Sequence, residues 1–139
     1  MKPAELEILV DHRLQKSEQA LQAAKVMLDK QMLSFAMNRV YYSLYYAVQA
    51  LLAQQGIAFA KHGQVKGYFN REFIKARKLP KDIGRFYNKA FEYRQKFDYV
   101  DFVSPDRPMV IEYVETAQSV VLQIKNYLKE GQSAEQSPL

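Results

Sequence analysis

MLSFAMNRVYYSLYYAVQALLAQQG, residues 32–56, decides the fold. Val40, Leu44, Ala47 and Leu51, led by Phe35 or Ala36, recur every three or four residues, the spacing that places side chains on one face of an α-helix. The spacing predicts a helix from about Met32 to Gln55, with Gly56 as its C-terminal stop. Strand-type alternation persists nowhere in the chain, and no internal repeat is present.

The same period continues on both sides of this helix. Upstream, Pro3 and the acidic AELE open a helix whose inward stripe is Leu6, Val10, Leu14, Ser17, Leu21, Ala24 and Leu28, with a break at 29–31. Downstream, GIAFAKHG is expected to be a loop, and Gln64 to Ala76 a shorter helix carrying Val65, Phe69 and Phe73. Pro80 ends that helix, because a proline disfavours helical backbone in the residue before it. Lys81 to about Lys96 forms another helix through Ile83, Phe86, Tyr87, Ala90 and Phe91. FDYVDFVSPDRP reads as irregular, with Ser104 or Asp106 placed to cap a last helix from Met109 to Lys129. Its stripe is Val110, Tyr113 or Val114, Ala117, Val121, Ile124 and Leu128. The expected architecture is all-α: one domain over residues 1–129, an antiparallel bundle of four long helices plus a short one, then a disordered polar tail at 130–139.

With 139 residues the chain fits one domain and has length enough to bury a core. Absence of cysteine excludes disulfides and thiolate metal sites and suits a reducing compartment. No apolar run approaches the roughly 20 residues that a membrane span needs, and the N-terminus is unlike a signal peptide. A soluble cytoplasmic protein is the expectation, with no membrane partner. The net charge of +5 is uneven: residues 61–96 hold eleven Lys/Arg against three Asp/Glu, or +8, and the rest nine against twelve, or −3. A basic middle attracts phosphate backbones, although lysines also simply solvate helix faces.

Three clusters carry the candidate chemistry. On the second helix, Arg39, Tyr42, Ser43 and Tyr46 fall at i, i+3, i+4 and i+7, which sets a guanidinium, two phenols and a hydroxyl along one face beside Asn38. An arginine fork binds phosphate and tyrosine rings stack on bases; tyrosines at this spacing also fill helix or subunit contacts. In KHGQVKGYF, Lys61 and His62 follow the loop, and histidine is the side chain suited to proton transfer near neutrality, or to packing at a helix start. In FEYRQKFDYVDF, Arg94, Asp98 and Tyr99 lie at a helix end. If that helix continues, Arg94 and Asp98 pair at i, i+4; if it stops, Asp98 is free to meet a neighbouring helix. Phosphate-loop, zinc and di-iron spacings are missing, so neither a cofactor nor a metal site is expected.

Taken in order, Arg39-x-Tyr41-Tyr42 with Tyr46, Ala47 and Ala50-Leu51-Leu52, then His62, Val65 and Phe69, then Arg94-x-x-x-Asp98-Tyr99, the chain resembles the HEPN family over about residues 5–128. The resemblance implies an antiparallel helical bundle that forms a homodimer and is often encoded beside a nucleotidyltransferase-type partner in a toxin–antitoxin or defence pair. It also implies an RNA- or nucleotide-handling site. Active HEPN ribonucleases are metal-independent and use Arg-x4-6-His at the dimer cleft. Here QKFDYVDF follows Arg94 and holds no histidine, so the usual motif keeps its arginine and loses its imidazole.

Three readings follow. The first is a catalytically silent module that binds RNA or a nucleotide and a partner protein, through Asn38, Tyr42, Tyr46, Lys61, Asp98 and Tyr99. The second is a ribonuclease in which His62 moves the proton of a ribose 2′-hydroxyl while Arg39 and Arg94 stabilise the charged phosphorus centre. The third is a structural dimerisation protein whose surplus tyrosines exceed what one core absorbs. Distance separates them: if Arg39, His62 and Arg94 lie more than about 15 Å apart, no single site can use all three.

Overall fold

The computed structural model describes residues 2–136, with side chains as far as 131. Among these the chain forms α1 (Pro3–Asp29), α2 (Leu33–Gln54), α3 (His62–Phe69), a π-helical turn (Asn70–Lys75), α4 (Lys81–Tyr99) and α5 (Arg107–Gln136), with no strand. α1 starts at Pro3, and the Lys2 backbone N–H donates to the Glu5 carboxylate at 3.0 Å. A three-residue turn with Gln31 at φ 60° reverses the chain into α2. α2 ends at Gln54, and Gly56 just beyond it has a φ of 73°, the left-handed conformation that glycine adopts without steric cost.

α2 is the hub, packed against α1, α4 and α5. Cross-links between helix ends give the directions. Arg107 at the start of α5 donates to the Leu28 carbonyl at the end of α1, and Gln54 at the end of α2 donates to the Leu128 carbonyl late in α5. Asn38, early in α2, meets Asp98, late in α4. So α1 and α4 run against α2 and α5, the arrangement expected of an antiparallel bundle. No helix among the described residues is long and apolar enough to cross a membrane.

The inward stripes match the sequence pattern. Ala36 is buried and Phe35 is 60% exposed, and Val114 is buried in preference to Tyr113. Because α2 is covered on three sides, its buried arc is far wider than one stripe. Tyr41 and Tyr45, expected as surplus, are taken into the chain's own core, with Tyr41 fully buried. Ser43, placed by its spacing on one face with Arg39, Tyr42 and Tyr46, is not part of the candidate site. It is buried against α1, where the Ser17 hydroxyl donates to the Ser43 carbonyl at 2.6 Å.

Four boundaries differ from the sequence reading. The helix expected from Gln64 begins at His62 and passes into the π-turn at Asn70, because Val65, Phe69 and Phe73 stay buried whichever turn type joins them. α4 continues past Lys96 to Tyr99, held by the Arg94–Asp98 pair at i, i+4. α5 starts at Arg107 beneath Asp106, whose carboxylate accepts from the Met109 N–H at 2.9 Å. At its other end the helix runs through the expected tail as far as Gln136, since Glu, Gln and Ala propagate a formed helix at little cost. Residues 137–139 of that tail lie outside the described residues.

Candidate functional site

The middle of α2, the second half of α4 and the start of α3 meet around one aromatic ring, that of Tyr42. The Arg39 guanidinium carbon stands 4.8 Å from its centroid and that of Arg94 5.3 Å. The His62 ring lies edge-on to it at 5.8 Å. Since all three surround one point, any two are closer than the sum of two such radii, inside the roughly 15 Å within which a single site can use them.

A polar circuit closes around this ring. Arg39 donates twice to Asn38 Oδ1, from Nε at 3.0 Å and Nη2 at 2.7 Å. Asn38 Nδ2 donates to Asp98 Oδ2 at 2.8 Å, and the same oxygen lies 3.4 Å from Arg94 Nε. Arg94 Nη2 then donates to the Tyr42 hydroxyl at 3.1 Å and, more weakly, to that of Tyr99 at 3.4 Å. Asp98 therefore does both things the sequence left as alternatives: it pairs along its own helix and reaches across to α2. The Arg94 side chain is only 14% exposed, and its Nε is buried and too poorly aligned on Asp98 for a hydrogen bond. The rings of Tyr41, Tyr42 and Tyr99 lie within 5.6 Å of its guanidinium and help offset the lost hydration. Two guanidiniums against one carboxylate leave one positive charge uncompensated.

The imidazole is held from behind. Tyr41 Oη and His62 Nδ1 are 2.6 Å apart, and Tyr45 stacks on the His62 ring at 4.2 Å, nearly parallel. Burial pushes the Tyr41 phenol well above its ordinary range, so at neutral pH it stays protonated, and its hydroxyl donates to or accepts from Nδ1 according to the imidazole tautomer. Burial, and then the Arg94 charge, hold His62 below its ordinary 6.5, so the ring is mainly neutral at pH 7.

Of the remaining predicted residues, Tyr46 lies 5.9 Å from Tyr42, centroid to centroid, and Tyr99 reaches the cluster through Arg94 while 71% exposed. Lys61 sits exposed just before α3; its carbonyl accepts from the Gln64 and Val65 N–H groups, and its side chain makes no hydrogen bond or ion pair among the described residues. Sequence reasoning missed Tyr41 and Tyr45, which position the imidazole, and Lys16 of α1. The Lys16 ammonium lies 5.4 Å above the Tyr46 ring, and a cavity of about 190 Å³ beside it is lined by Lys16, Arg39 and Tyr46. In the sequence Lys16 is simply a polar residue beside a helical stripe, with nothing to link it to Arg39.

A family model described as HEPN domain matches residues 10–127. The chain belongs to the HEPN family. It is 35% identical over 126 residues to a Thermotoga maritima protein named "UPF0332 protein", covering 91% of this chain and 96% of that one. Two proteins of Methanocaldococcus jannaschii are also similar. "Putative toxin MJ0142" is 38% identical over 68% of this chain and 62% of its own length, and "Putative toxin MJ0605" is 29% identical over 82% and 84%. In this HEPN chain the position four residues after Arg94 is an aspartate that ties α4 to α2, and the imidazole enters the site from α3 instead.

Proposed function

We propose that this HEPN chain is a toxin-type module that binds RNA, or a nucleotide, through phosphate at the Tyr42-centred cluster. It acts as a homodimer beside a nucleotidyltransferase-type partner. The observation that carries this reading is the sharing of one tyrosine ring by Arg39 and Arg94 with a single carboxylate between them. Such an arrangement leaves a fixed positive charge next to aromatic faces, the combination that accepts a phosphate and stacks its base. The similarity to proteins named as toxins supports the toxin class. Dimerisation is supported by exposed apolar side chains beside the Asn38–Asp98 bridge. Phe35 is one turn from Asn38, and Tyr99, Val100 and Phe102 directly follow Asp98. Phe102 is fully exposed and held at φ 62°, a conformation unfavourable for a bulky residue unless something uses it.

The test is a binding titration of a labelled mixed-sequence RNA with the wild-type chain and Arg39→Gln/Arg94→Gln, alongside a solution mass measurement. Binding by the wild type and at least about a tenfold loss in the double variant, equivalent to about 1.4 kcal/mol, is the expected result. Equal binding by both proteins would remove the cluster from RNA recognition.

A second reading is favoured by one contact, the Tyr41–His62 hydrogen bond. It orients a neutral imidazole beside two cations; in the tautomer whose Nδ1–H donates to Tyr41 Oη, Nε2 is free to take the 2′-hydroxyl proton, which is the equipment of metal-independent RNA cleavage. Incubating RNA with the protein in excess chelator tests this: cleavage lost in a folded His62→Ala variant supports it, and cleavage retained ends the role of His62.

A further inference from the structure

On a different side of α4 from the Tyr42 cluster, the π-turn and the first half of α4 enclose a groove of about 800 Å³. Five cations line it: Arg71 and Lys75 on the π-turn, Arg77 just beyond, and Lys81 and Arg85 on α4. The pairs 71/75 and 81/85 are each four residues apart, so each pair stands on one side of its own element and the two face each other across the cleft. Among the described residues no carboxylate lines the groove. Glu72 lies 2.9 Å from Arg71 and Asp82 4.0 Å from Arg85, so two of the five cations are paired, both in solvent-exposed pairs that cost little to break, and among the described residues three are not.

The sequence builds this groove on purpose-fit backbone. Gly84 is buried, and a Cβ there would stand 3.0 Å from Ile74 carbons and 3.2 Å from Asn70 Oδ1, so any larger residue would have to push these two side chains aside. At the floor Asn70 Nδ2 donates to Asn88 Oδ1 at 3.0 Å, which leaves the Asn88 amide nitrogen to donate to a guest. π-Turns are rare inside helices and frequent at functional sites.

We infer that this groove is a second phosphate-backbone site, an anchoring track for RNA separate from the Tyr42 cluster. The inference rests on the reading that RNA is what the chain handles. The lining favours a nucleic-acid backbone over an acidic protein. Lysine is depleted in the cores of protein interfaces, which are built on aromatic and apolar anchors, whereas among the described residues Ile74 is the only sizeable apolar side chain here. With no aromatic ring in the lining among the described residues, bases have nothing there to stack on, so contact is with phosphates and independent of sequence. Nine residues of α4 separate Arg85 from Arg94, roughly 13 Å along the helix, a distance that a few nucleotides span. The track also accounts for the basic excess of residues 61–96, most of which the Tyr42 cluster does not use.

The test measures anisotropy of a fluorescein-labelled, mixed-sequence single-stranded RNA against salt concentration, with folding checked by circular dichroism. Arg71→Gln/Lys75→Gln/Lys81→Gln/Arg85→Gln removes four groove charges. Its two halves, made separately, guard against a folding defect in the fourfold variant. Lys30→Gln/Lys129→Gln removes charge from exposed positions outside the groove. The inference predicts that the fourfold variant loses about tenfold or more in affinity, and that its salt slope flattens by about 2 to 3, given roughly 0.7 per phosphate on single strands. Each half loses part of this, and Lys30→Gln/Lys129→Gln loses less than about twofold. Unchanged affinity and slope in the fourfold variant, or an equal loss in one of its halves and in Lys30→Gln/Lys129→Gln, overturns the groove. If Arg39→Gln/Arg94→Gln alone loses binding, the Tyr42 reading stands and the groove falls. If the groove variants alone lose it, the reverse holds. A wild-type chain that does not bind RNA overturns both.

Discussion

Two collections of arginine and lysine share helix α4, and they are built oppositely. Around Tyr42 each guanidinium has assigned partners, the site is half-buried, and its back wall is the hydrophobic core itself: Tyr41 is fully buried and touches Tyr45, Tyr87 and Phe91. In the groove the cations stand in solvent, paired at most with exposed carboxylates, around a floor of two asparagines. The difference teaches that charge count alone does not define a site. Fixed partners give one region orientation and shape, while the other offers only field and access.

The sharpest separation is in stability. Tyr41→Ala should cost about 3–5 kcal/mol, the range for truncating a buried aromatic, whereas Arg85→Ala should stay within about 0.5 kcal/mol of wild type. Urea denaturation of the two variants checks this, and similar costs would erase the distinction between a core-backed site and a surface track. Next in size, Gly84→Val should cost about 1–3 kcal/mol by overpacking against Ile74 and Asn70, while Gly67→Ala, with no atom within 4 Å of the added carbon, should be neutral or stabilising by up to about 1 kcal/mol. Both glycines line the groove, so thermal melts of the pair show which one shapes it.

A smaller effect is pH-dependent. Because the folded pKa of His62 lies below 6.5, the unfolded chain binds the extra proton first on acidification. Stability associated with this residue is thus fully present above pH 6.5 and declines as pH falls from 6.5 toward the lower folded value. Melting temperatures measured across that window should fall less in His62→Gln than in the wild type. An identical acid response in both proteins would mean that His62 is not restrained as described.

Helix count, direction and core stripes were legible in the sequence because each long helix repeats one apolar period. The three chemical clusters were marked in the sequence as arginine, histidine and tyrosine at helical spacing, with packing left open beside chemistry for each. What local patterns could not carry was the packing around α2. Coverage on three sides turned Tyr41 and Tyr45 from surplus rings into core, and made Tyr41 the partner of His62. That Asp98 also reaches across to Asn38, sixty residues away, has no local signal. The π-turn leaves the spacing of Val65, Phe69 and Phe73 unaltered, so periodicity cannot reveal it.

The central claim is that folding gathers Arg39, His62 and Arg94 around Tyr42 into a single site that accepts phosphate. Arginine side-chain Nε–H resonances, followed by NMR while a short RNA is added, test it most directly. The Nε–H signals of Arg39 and Arg94 are expected to shift together and saturate with one affinity, and Tyr42→Ala to weaken both shifts. Resonances of Arg39 and Arg94 that stay unmoved while RNA binds elsewhere would contradict it.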